Sequence, residues 1–328
     1  MRPTDDIIST IYLGGGTPSQ LTDDQLRKLF DAIYNIYNVS EDAEVTIECN
    51  PDDITEEFAR MLASLPVNRV SMGVQTFSDA RLSFLRRRHK AADVSQAVCR
   101  LRSAGIGNIS IDLMFGFPDE TLSDWQSDID AALALNPEHI SAYSLMYEEG
   151  TVLFEQCKNL EIKKLSEETE RQMYETLIDC LTTAGYDHYE ISNFAKPSRH
   201  SRHNSSYWDG TPYIGIGAAA HSYDLQSRQW NISDIRQYIK DIAQGIRPYE
   251  QELLDDDTRY NDLITTALRT KDGIHLSALT DKYRTYLLAN AQPSITRNLL
   301  RIDDDHIHLT RQGLFVSDDV MSDLICVY

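Results

Sequence analysis

The chain has 328 residues, of which 41% are hydrophobic, so it can bury one large core and a smaller second one. Its formal net charge of −20 argues against general binding to nucleic acid or to an anionic membrane surface. Since no run of eighteen apolar residues and no signal peptide is visible, the composition predicts a cytoplasmic globular protein without an integral membrane segment.

The first half of the chain alternates between short β-rich runs and amphipathic helical stretches. The runs read "IISTIYL", "EVTIEC", "RVSMGVQ", "NISIDLMFG" and "HISAYSLM". Thr22 with Gln25 forms a capping box for the first helix, and Ser123 with Gln126 gives the same signal near a later one. This alternation predicts an α/β fold whose βαβ units build a parallel sheet, as a barrel or part of one.

Three of the predicted strands carry a polar residue at or near the carboxyl end. These residues are Glu48, Gln75 and Asp112. A buried parallel strand is normally a continuous apolar run, and the carboxyl ends of barrel strands meet at one mouth. Each residue alone could cap a helix or bond a neighbouring loop. The three together favour a shared ligand site.

A glycine-rich loop, "GGGTPSQL", follows the first predicted strand. Gly14, Gly15 and Gly16 let the backbone approach a ligand without obstruction by side chains. No lysine follows as in a phosphate-binding P-loop, and Pro18 stands where a dinucleotide fingerprint would open directly into a helix. The loop indicates a small-molecule site, with a simple tight turn as the alternative.

The second half of the chain is organised differently. After a loose stretch, a long helix is predicted to end at Gly185, and an aromatic and histidine-rich segment, "GYDHYEISNFAKPSRHSRHNSSYW", follows it. We expect domains at residues 1–165, 166–250 and 251–328. In the last domain, helices predicted at 258–268, 276–283 and 294–300 precede a hairpin and a final helix near Val316, an order that resembles a winged helix. That domain has 8 basic and 13 acidic residues, which argues against DNA binding.

Several of these motifs together resemble one family. "YLGGGTPSQL", "VTIECNPDD", "VSMGVQTF", "LRRRH", "IDLMFGFP" and "YSLMYEEGT" occur in the order found in the oxygen-independent coproporphyrinogen III oxidase (HemN) family of radical S-adenosylmethionine (SAM) enzymes. "YEISNFAKP", "RHNSSYW", "YIGIGAAAHS" and "LTRQGLFVSDDVMSDL" resemble its HemW branch, the haem chaperones, more than the oxidases. The resemblance covers nearly the whole chain. It implies a partial (β/α) barrel followed by a small helical, winged-helix-like domain.

The resemblance also implies site residues. Gly15, Gly16 and Thr17 match the family's contact with the methionine part of SAM. Six further positions match residues of the same pocket: Glu48, Gln75, Arg87, Asp112, Met146 and His221. The alignment alone distinguishes Arg87 from its two arginine neighbours.

One defining motif of the family does not occur in the chain. The family holds a [4Fe–4S] cluster with C-x-x-x-C-x-x-C, which lies upstream of the glycines. Here no cysteine precedes Cys49, and the five cysteines are scattered: Cys49, Cys99, Cys157, Cys180 and Cys326. The sequence is therefore expected to lack the first barrel strand and the cluster loop, through a truncated reading frame or as a variant without the cluster. In either case we expect no reductive cleavage of SAM by this chain.

The histidines suggest a second ligand. Neutral imidazole is a common iron ligand, and aromatic surroundings suit a flat macrocycle. His203 and His221 are the candidate haem ligands, although either could instead bond a backbone carbonyl. The resemblance implies a chaperone that binds haem and delivers it to acceptor proteins. The alternatives are an oxygen-independent coproporphyrinogen III oxidase, acting on a porphyrin precursor, and an inert remnant.

Overall fold

The computed structural model describes residues 6–327. These residues form two compact units that divide between His203 and Asn204. None of the helices in the described part of the chain is both long enough and apolar enough to span a bilayer.

The first unit is built on a seven-stranded sheet. Its strands are β1 (Ile7–Leu13), β2 (Asn38–Cys49), β3 (Arg69–Gln75), β4 (Asn108–Phe115), β5 (His139–Ser144), β6 (Asp187–Glu190) and β7 (Asn193–Ala195). Its helices are α1 (Asp23–Ile36), α2 (Glu56–Ala63), α3 (Asp79–Phe84), α4 (Ala91–Ser103), α5 (Leu122–Leu135), α6 (Val152–Lys158) and α7 (Glu167–Thr183). Helix α8 (Arg202–Trp208) runs across the division between the units.

The sheet has the order β1-β2-β3-β4-β5-β7-β6. Strands β1 to β5 are parallel, whereas β7 pairs antiparallel with β5 and β6 antiparallel with β7. Helices connect the parallel strands, and the sheet curls into a half-barrel. The partial (β/α) barrel expected from the sequence is confirmed.

Capping residues fix where the helices of this unit begin. Thr22 and Gln25 form the predicted reciprocal capping box at α1. The cap predicted for α5 was wrong, because the box there consists of Thr121 and Asp124. The Asp124 carboxylate accepts a hydrogen bond from Thr121 N at 3.0 Å, so the box lies two residues earlier than the expected one.

Residues of the central strands alternate between the two faces of the half-barrel. On β3, Val70, Met72 and Val74 are completely buried on the outer, helix-covered face. Arg69 and Ser71, which flank Val70, lie on the inner face. The same alternation on β2 and β4 gives the half-barrel a polar lining: Thr46, Glu48, Ser110 and Asp112. The polar residues near the strand ends therefore belong to one continuous inner surface.

The second unit contains two three-stranded antiparallel sheets, ordered β10-β9-β8 and β11-β13-β12. Its strands are β8 (His221–Tyr223), β9 (Ser227–Asn231), β10 (Tyr249–Leu253), β11 (Ile274–His275), β12 (Leu300–Asp303) and β13 (His306–Leu309). Its helices are α9 (Ile235–Ile242), α10 (Asp256–Ala267), α11 (Asp281–Thr296), α12 (Arg311–Leu314) and α13 (Ser317–Leu324).

The C-terminal helices differ in part from the prediction. Helix α10 and the hairpin β12–β13 occur where they were expected. The helices predicted at 276–283 and 294–300 were wrong, because a single helix, α11, contains Pro293 in its interior. Tyr283, Leu287 and Ala291 of α11 are buried in one core with α10 and α13. Because α11 is held by this core, it continues through Pro293. In the sequence alone, a proline at this position indicates the start of a new helix.

Candidate functional site

The glycine loop lies at the carboxyl end of β1. A Cβ atom on Gly14 would lie 2.4 Å from Cε1 of Tyr12 and 2.9 Å from Oε1 of Glu48, so only glycine fits there. Gly15 and Gly16 have φ angles of 75° and 66°, in the left-handed region that glycine tolerates best. A Cβ on either of them would have no atom within 4 Å. The loop is therefore packed on one side and open on the other.

Glu48, at the end of β2, holds this loop in place. Its Oε2 accepts a hydrogen bond from the backbone N of Gly15 at 3.2 Å, and its Oε1 accepts one from the Tyr12 hydroxyl at 2.6 Å. Burial, together with the negative charge of Glu48, raises the pKa of Tyr12 well above its usual value. Tyr12 thus remains a hydrogen-bond donor to the carboxylate at any physiological pH.

Arg87 differs from the arginines on either side of it. Its Nη2 donates to Oδ1 of Asn50 and to the carbonyl oxygen of Gly73, both at 2.8 Å. Burial lowers its pKa. Arg86 and Arg88 are exposed, and Arg88 pairs with Asp53 on the surface at 2.9 Å. Among the three arginines, Arg87 is therefore the one held against β3 and the residue that follows β2.

Gln75 ends β3 beside Arg87. Its φ of 69° is unusual for a residue other than glycine. Its Nε2 would lie 3.0 Å, and Nη2 of Arg87 2.9 Å, from a Cβ built on Gly73. The two side chains therefore converge on the backbone of Gly73, which must lack a side chain to admit them.

Asp112, on the inner face of β4, is the second carboxylate of the site. Its Oδ1 accepts a hydrogen bond from the Ser71 hydroxyl at 3.4 Å. Burial raises its pKa to about 6, an effect that the positive charge of Arg69 partly opposes and the negative charge of Glu48 reinforces. Ser71 is also the register partner of Glu48, so both carboxylates line the same part of the half-barrel.

The first unit thus brings together most of the residues predicted from the family resemblance. Around the ends of β1 to β4 these are Gly15, Gly16, Glu48, Gln75, Arg87 and Asp112. Thr17 caps the 3₁₀ turn Pro18–Gln20 through its backbone position, without a side-chain capping bond. Met146 follows β5 and is 68% exposed. His221 belongs to the second unit.

Sequence reasoning missed several inner-face residues, of which Arg69 is the most notable. Arg69 is only 1% exposed, and within the described residues its Nε and Nη2 have no hydrogen-bond partner. It lies in one register row with Thr46 and Asn108 across β2, β3 and β4. A polar residue at the same strand position in three neighbouring strands was the signal that could have revealed this row.

The two haem candidates occupy different surroundings. The ring of His203 stacks on Tyr12, with centroids 4.7 Å apart, and its Nδ1 lies 3.0 Å from the Thr10 hydroxyl. Burial lowers its pKa, which favours the neutral imidazole. His221, by contrast, is exposed on β8, with its ring centroid 6.1 Å from that of Trp230. His203 is thus a packed residue of the half-barrel, and His221 is a surface residue.

The two cofactors implied by the family fit this chain unequally. The open glycine loop, the two carboxylates and Arg87 provide a polar cradle suited to SAM. In residues 6–327, however, no group of three or more His, Cys, Asp and Glu side chains could hold a metal ion. The five cysteines do not form the ligand set of a [4Fe–4S] cluster.

The fold has a close counterpart among solved structures. Coproporphyrinogen III oxidase (HemN) from Escherichia coli, a radical SAM enzyme, superimposes with a TM-score of 0.83. The alignment covers 97% of this chain and 78% of that one, at 21% sequence identity. This likeness shows a shared fold.

Sequence comparisons identify the family. Residues 3–132 match the model of the Radical SAM superfamily, and residues 254–316 match that of the HemN C-terminal domain. The chain is 36% identical to the heme chaperone HemW of Bacillus subtilis, over 95% of this chain and 84% of that protein. It is 35% identical to HemW of Lactococcus lactis, over 95% and 83%. The chain therefore belongs to the HemW family of the radical SAM superfamily.

Proposed function

We propose that the chain is a cytoplasmic haem chaperone, which binds haem and delivers it to acceptor proteins. The observation that carries this proposal is the identity of 35–36% with proteins named heme chaperone HemW, across 95% of the chain. The likeness to coproporphyrinogen III oxidase extends over the fold at 21% identity, which supports the scaffold but not the oxidase reaction.

We further propose that the mouth of the half-barrel binds SAM. This molecule carries an ammonium group, a carboxylate, a sulfonium and two ribose hydroxyls. Glu48 and Asp112 supply acceptors for the ammonium and the hydroxyls, and Arg87 supplies a donor for the carboxylate. Gly15, Gly16 and Thr17 offer backbone beside the methionine part. The roles of Gln75, Met146 and His221 remain predictions from the family resemblance.

SAM in this family supplies the 5′-deoxyadenosyl group for radical chemistry when a cluster is present. The residues at the mouth of the half-barrel would bind and orient SAM. The carrier function itself requires only that haem is held and released.

Titration of the purified chain with haem tests the chaperone proposal. We expect a saturable Soret band with one haem per chain. A protein of similar size and net charge from outside the family is the control for non-specific haem adsorption. Spectra that stay identical to free haem at every concentration would rule the proposal out. Calorimetric titration with SAM tests the second proposal independently of haem.

A further inference from the structure

The end of β3 contains a turn of a strained type. The pairing of β3 with β4 shifts register between Met72 and Gln75, where three residues of β3 advance against two of β4, as in a β-bulge. Thr76 N donates to the carbonyl oxygen of Val74 at 2.9 Å, across Gln75, whose φ is 69°. A bond from residue i+2 to residue i around a positive φ makes residues 74–76 a γ-turn of the rare, strained kind. Such strain persists only where the surrounding contacts hold it.

A buried carboxylate holds the residues that follow this γ-turn. Asp128 lies on α5 and is 3% exposed. Its Oδ2 accepts a hydrogen bond from the Thr76 hydroxyl at 2.6 Å, and its Oδ1 accepts one from Phe77 N at 3.0 Å. The Thr76 hydroxyl in turn accepts a bond from Ser78 N at 3.1 Å. Because a buried carboxylate is tolerated only when it is hydrogen-bonded, the same two bonds satisfy Asp128 and fix the chain after the γ-turn.

A buried imidazole holds the γ-turn from its other side. His89 is 1% exposed, and its Nε2 lies 3.2 Å from the carbonyl oxygen of Val74. Because a carbonyl oxygen only accepts hydrogen bonds, Nε2 carries the proton and donates it. Burial lowers the pKa of His89, which favours the neutral ring. The Val74 carbonyl thus accepts from both Thr76 N and His89, so contacts fix the γ-turn at both ends.

The γ-turn decides where the side chain of Gln75 lies. Its Nε2 and Nη2 of Arg87 lie 3.0 and 2.9 Å from a Cβ built on Gly73, so both groups meet at the end of β3. An ordinary strand residue has a negative φ, and a change of φ from 69° to that range would rotate the Cα–Cβ bond of Gln75. The amide would then leave Gly73. The strained turn is therefore what brings Gln75 beside Arg87.

We propose that Asp128 and His89 are positioning residues of the SAM site, which act by holding the strained turn at Gln75. Neither belongs to the proposed SAM contacts, and both are buried behind the mouth of the half-barrel. The inference rests on the proposed SAM binding. A side chain that is fixed before the ligand arrives spares binding the cost of ordering it, and this is the advantage that the two residues provide.

A double-variant cycle tests this role by calorimetric titration of the full chain with SAM. Asp128→Asn preserves the shape of the side chain but leaves a single acceptor oxygen for two donors. We expect SAM binding to weaken about tenfold, and to weaken no further when Asp128→Asn is added to Gln75→Ala, which has no amide to position. His89→Leu, which removes the other contact, should show the same pattern. A residue that only stabilises the fold would give the same loss in both backgrounds.

The strain itself is tested without SAM. Gln75→Gly and Gln75→Ala both remove the side chain, but only glycine adopts a φ of 69° without strain. The midpoint of urea unfolding should therefore be higher for Gln75→Gly than for Gln75→Ala. Equal midpoints, or a lower one for the glycine variant, would show that the turn stores no strain and would overturn the proposal.

The matched control is Asp130→Asn, at an exposed aspartate of the same helix, and we expect it to leave SAM binding unchanged. If the wild-type chain binds SAM and Asp128→Asn binds it equally well, or if its loss persists beside Gln75→Ala, the positioning role is wrong while the SAM site stands. If the wild-type chain binds no SAM, both fail. Should Asp128→Asn not fold, Thr76→Val removes one of the two donors and takes its place, with the same outcomes.

Discussion

The two faces of the half-barrel sheet are made by alternate residues of the same strands, yet they serve different purposes. On β3, Val70, Met72 and Val74 point outwards and are fully buried, whereas Arg69 and Ser71 point inwards among polar neighbours. The outer face supplies apolar burial and hence stability. The inner face keeps charges and hydroxyls at a concave surface. Substitutions at two adjacent positions of one strand should therefore have different effects: the one on the outer face lowers stability, and the one on the inner face changes the polar surface.

The largest expected effect on stability comes from the outer face. Met72→Ala removes a side chain with no exposed surface and should lower the free energy of unfolding by about 3 kcal/mol. SAM binding by the folded protein should change little. Urea unfolding and calorimetry measure the two quantities, and Leu160→Ala, at an exposed position, serves as the control. A loss of SAM affinity larger than the loss of stability would contradict the separation of the faces.

The inner face should show the reverse pattern. Glu48→Gln keeps an acceptor for Tyr12 but removes the negative charge, so SAM binding should weaken by about 1.5–3 kcal/mol while stability changes by less than about 1 kcal/mol. Glu41→Gln, on the exposed part of β2, is the matched control and should have no effect. Unchanged SAM affinity in Glu48→Gln would show that this carboxylate is not a ligand contact.

Asp112 makes the inner face sensitive to pH. Its pKa of about 6 in the folded chain exceeds its value in an unfolded chain, so between these two values the folded state binds more protons than the unfolded state. The free energy of unfolding should therefore fall as pH rises from about 4 to about 6. Asp112→Asn should reduce this slope and stabilise the chain by about 1–2 kcal/mol at pH 7. Urea unfolding at pH 4.5 and 7 checks the difference, and parallel slopes in the two proteins would contradict it.

The smallest expected effect concerns the support of Glu48. Tyr12→Phe removes the 2.6 Å hydrogen bond but leaves an aromatic ring to stack on His203, so stability should fall by about 1 kcal/mol. Tyr34→Phe is a control at a surface tyrosine that is 42% exposed. Chemical denaturation of both variants measures the difference. Equal stabilities would mean that the bond adds nothing beyond the ring contact.

Much of the half-barrel could be predicted from the sequence because the strand pattern depends on local alternation. The expected limits of β1 and β3 agree with the structure, and Glu48, Gln75 and Asp112 do lie around one mouth. Strand β2 begins at Asn38, earlier than its apolar run, because its first residues pair with β1 and remain largely exposed. Exposed polar residues do not show the apolar pattern from which a strand is predicted.

Other features depended on tertiary contacts that no local pattern encodes. Arg87 is distinguished from Arg86 and Arg88 by its bonds to Asn50 and Gly73, which lie far from it in sequence. Arg69 reads as the polar start of a strand, although it is buried. His203 reads as an available ligand, although it stacks on Tyr12. The surroundings of Arg87 and His203 are thus decided by residues distant from them in sequence.

The central claim, that the chain delivers haem, is tested most directly by the rate of transfer. The haem-loaded chain is mixed with an apo-haemoprotein, and recovery of the acceptor's absorption spectrum is followed as the acceptor concentration is increased. Delivery through a complex predicts a rate that rises with acceptor concentration and exceeds the rate at which haem dissociates into buffer. A rate that equals this dissociation rate at every acceptor concentration would show that the chain only stores haem, and would contradict the account.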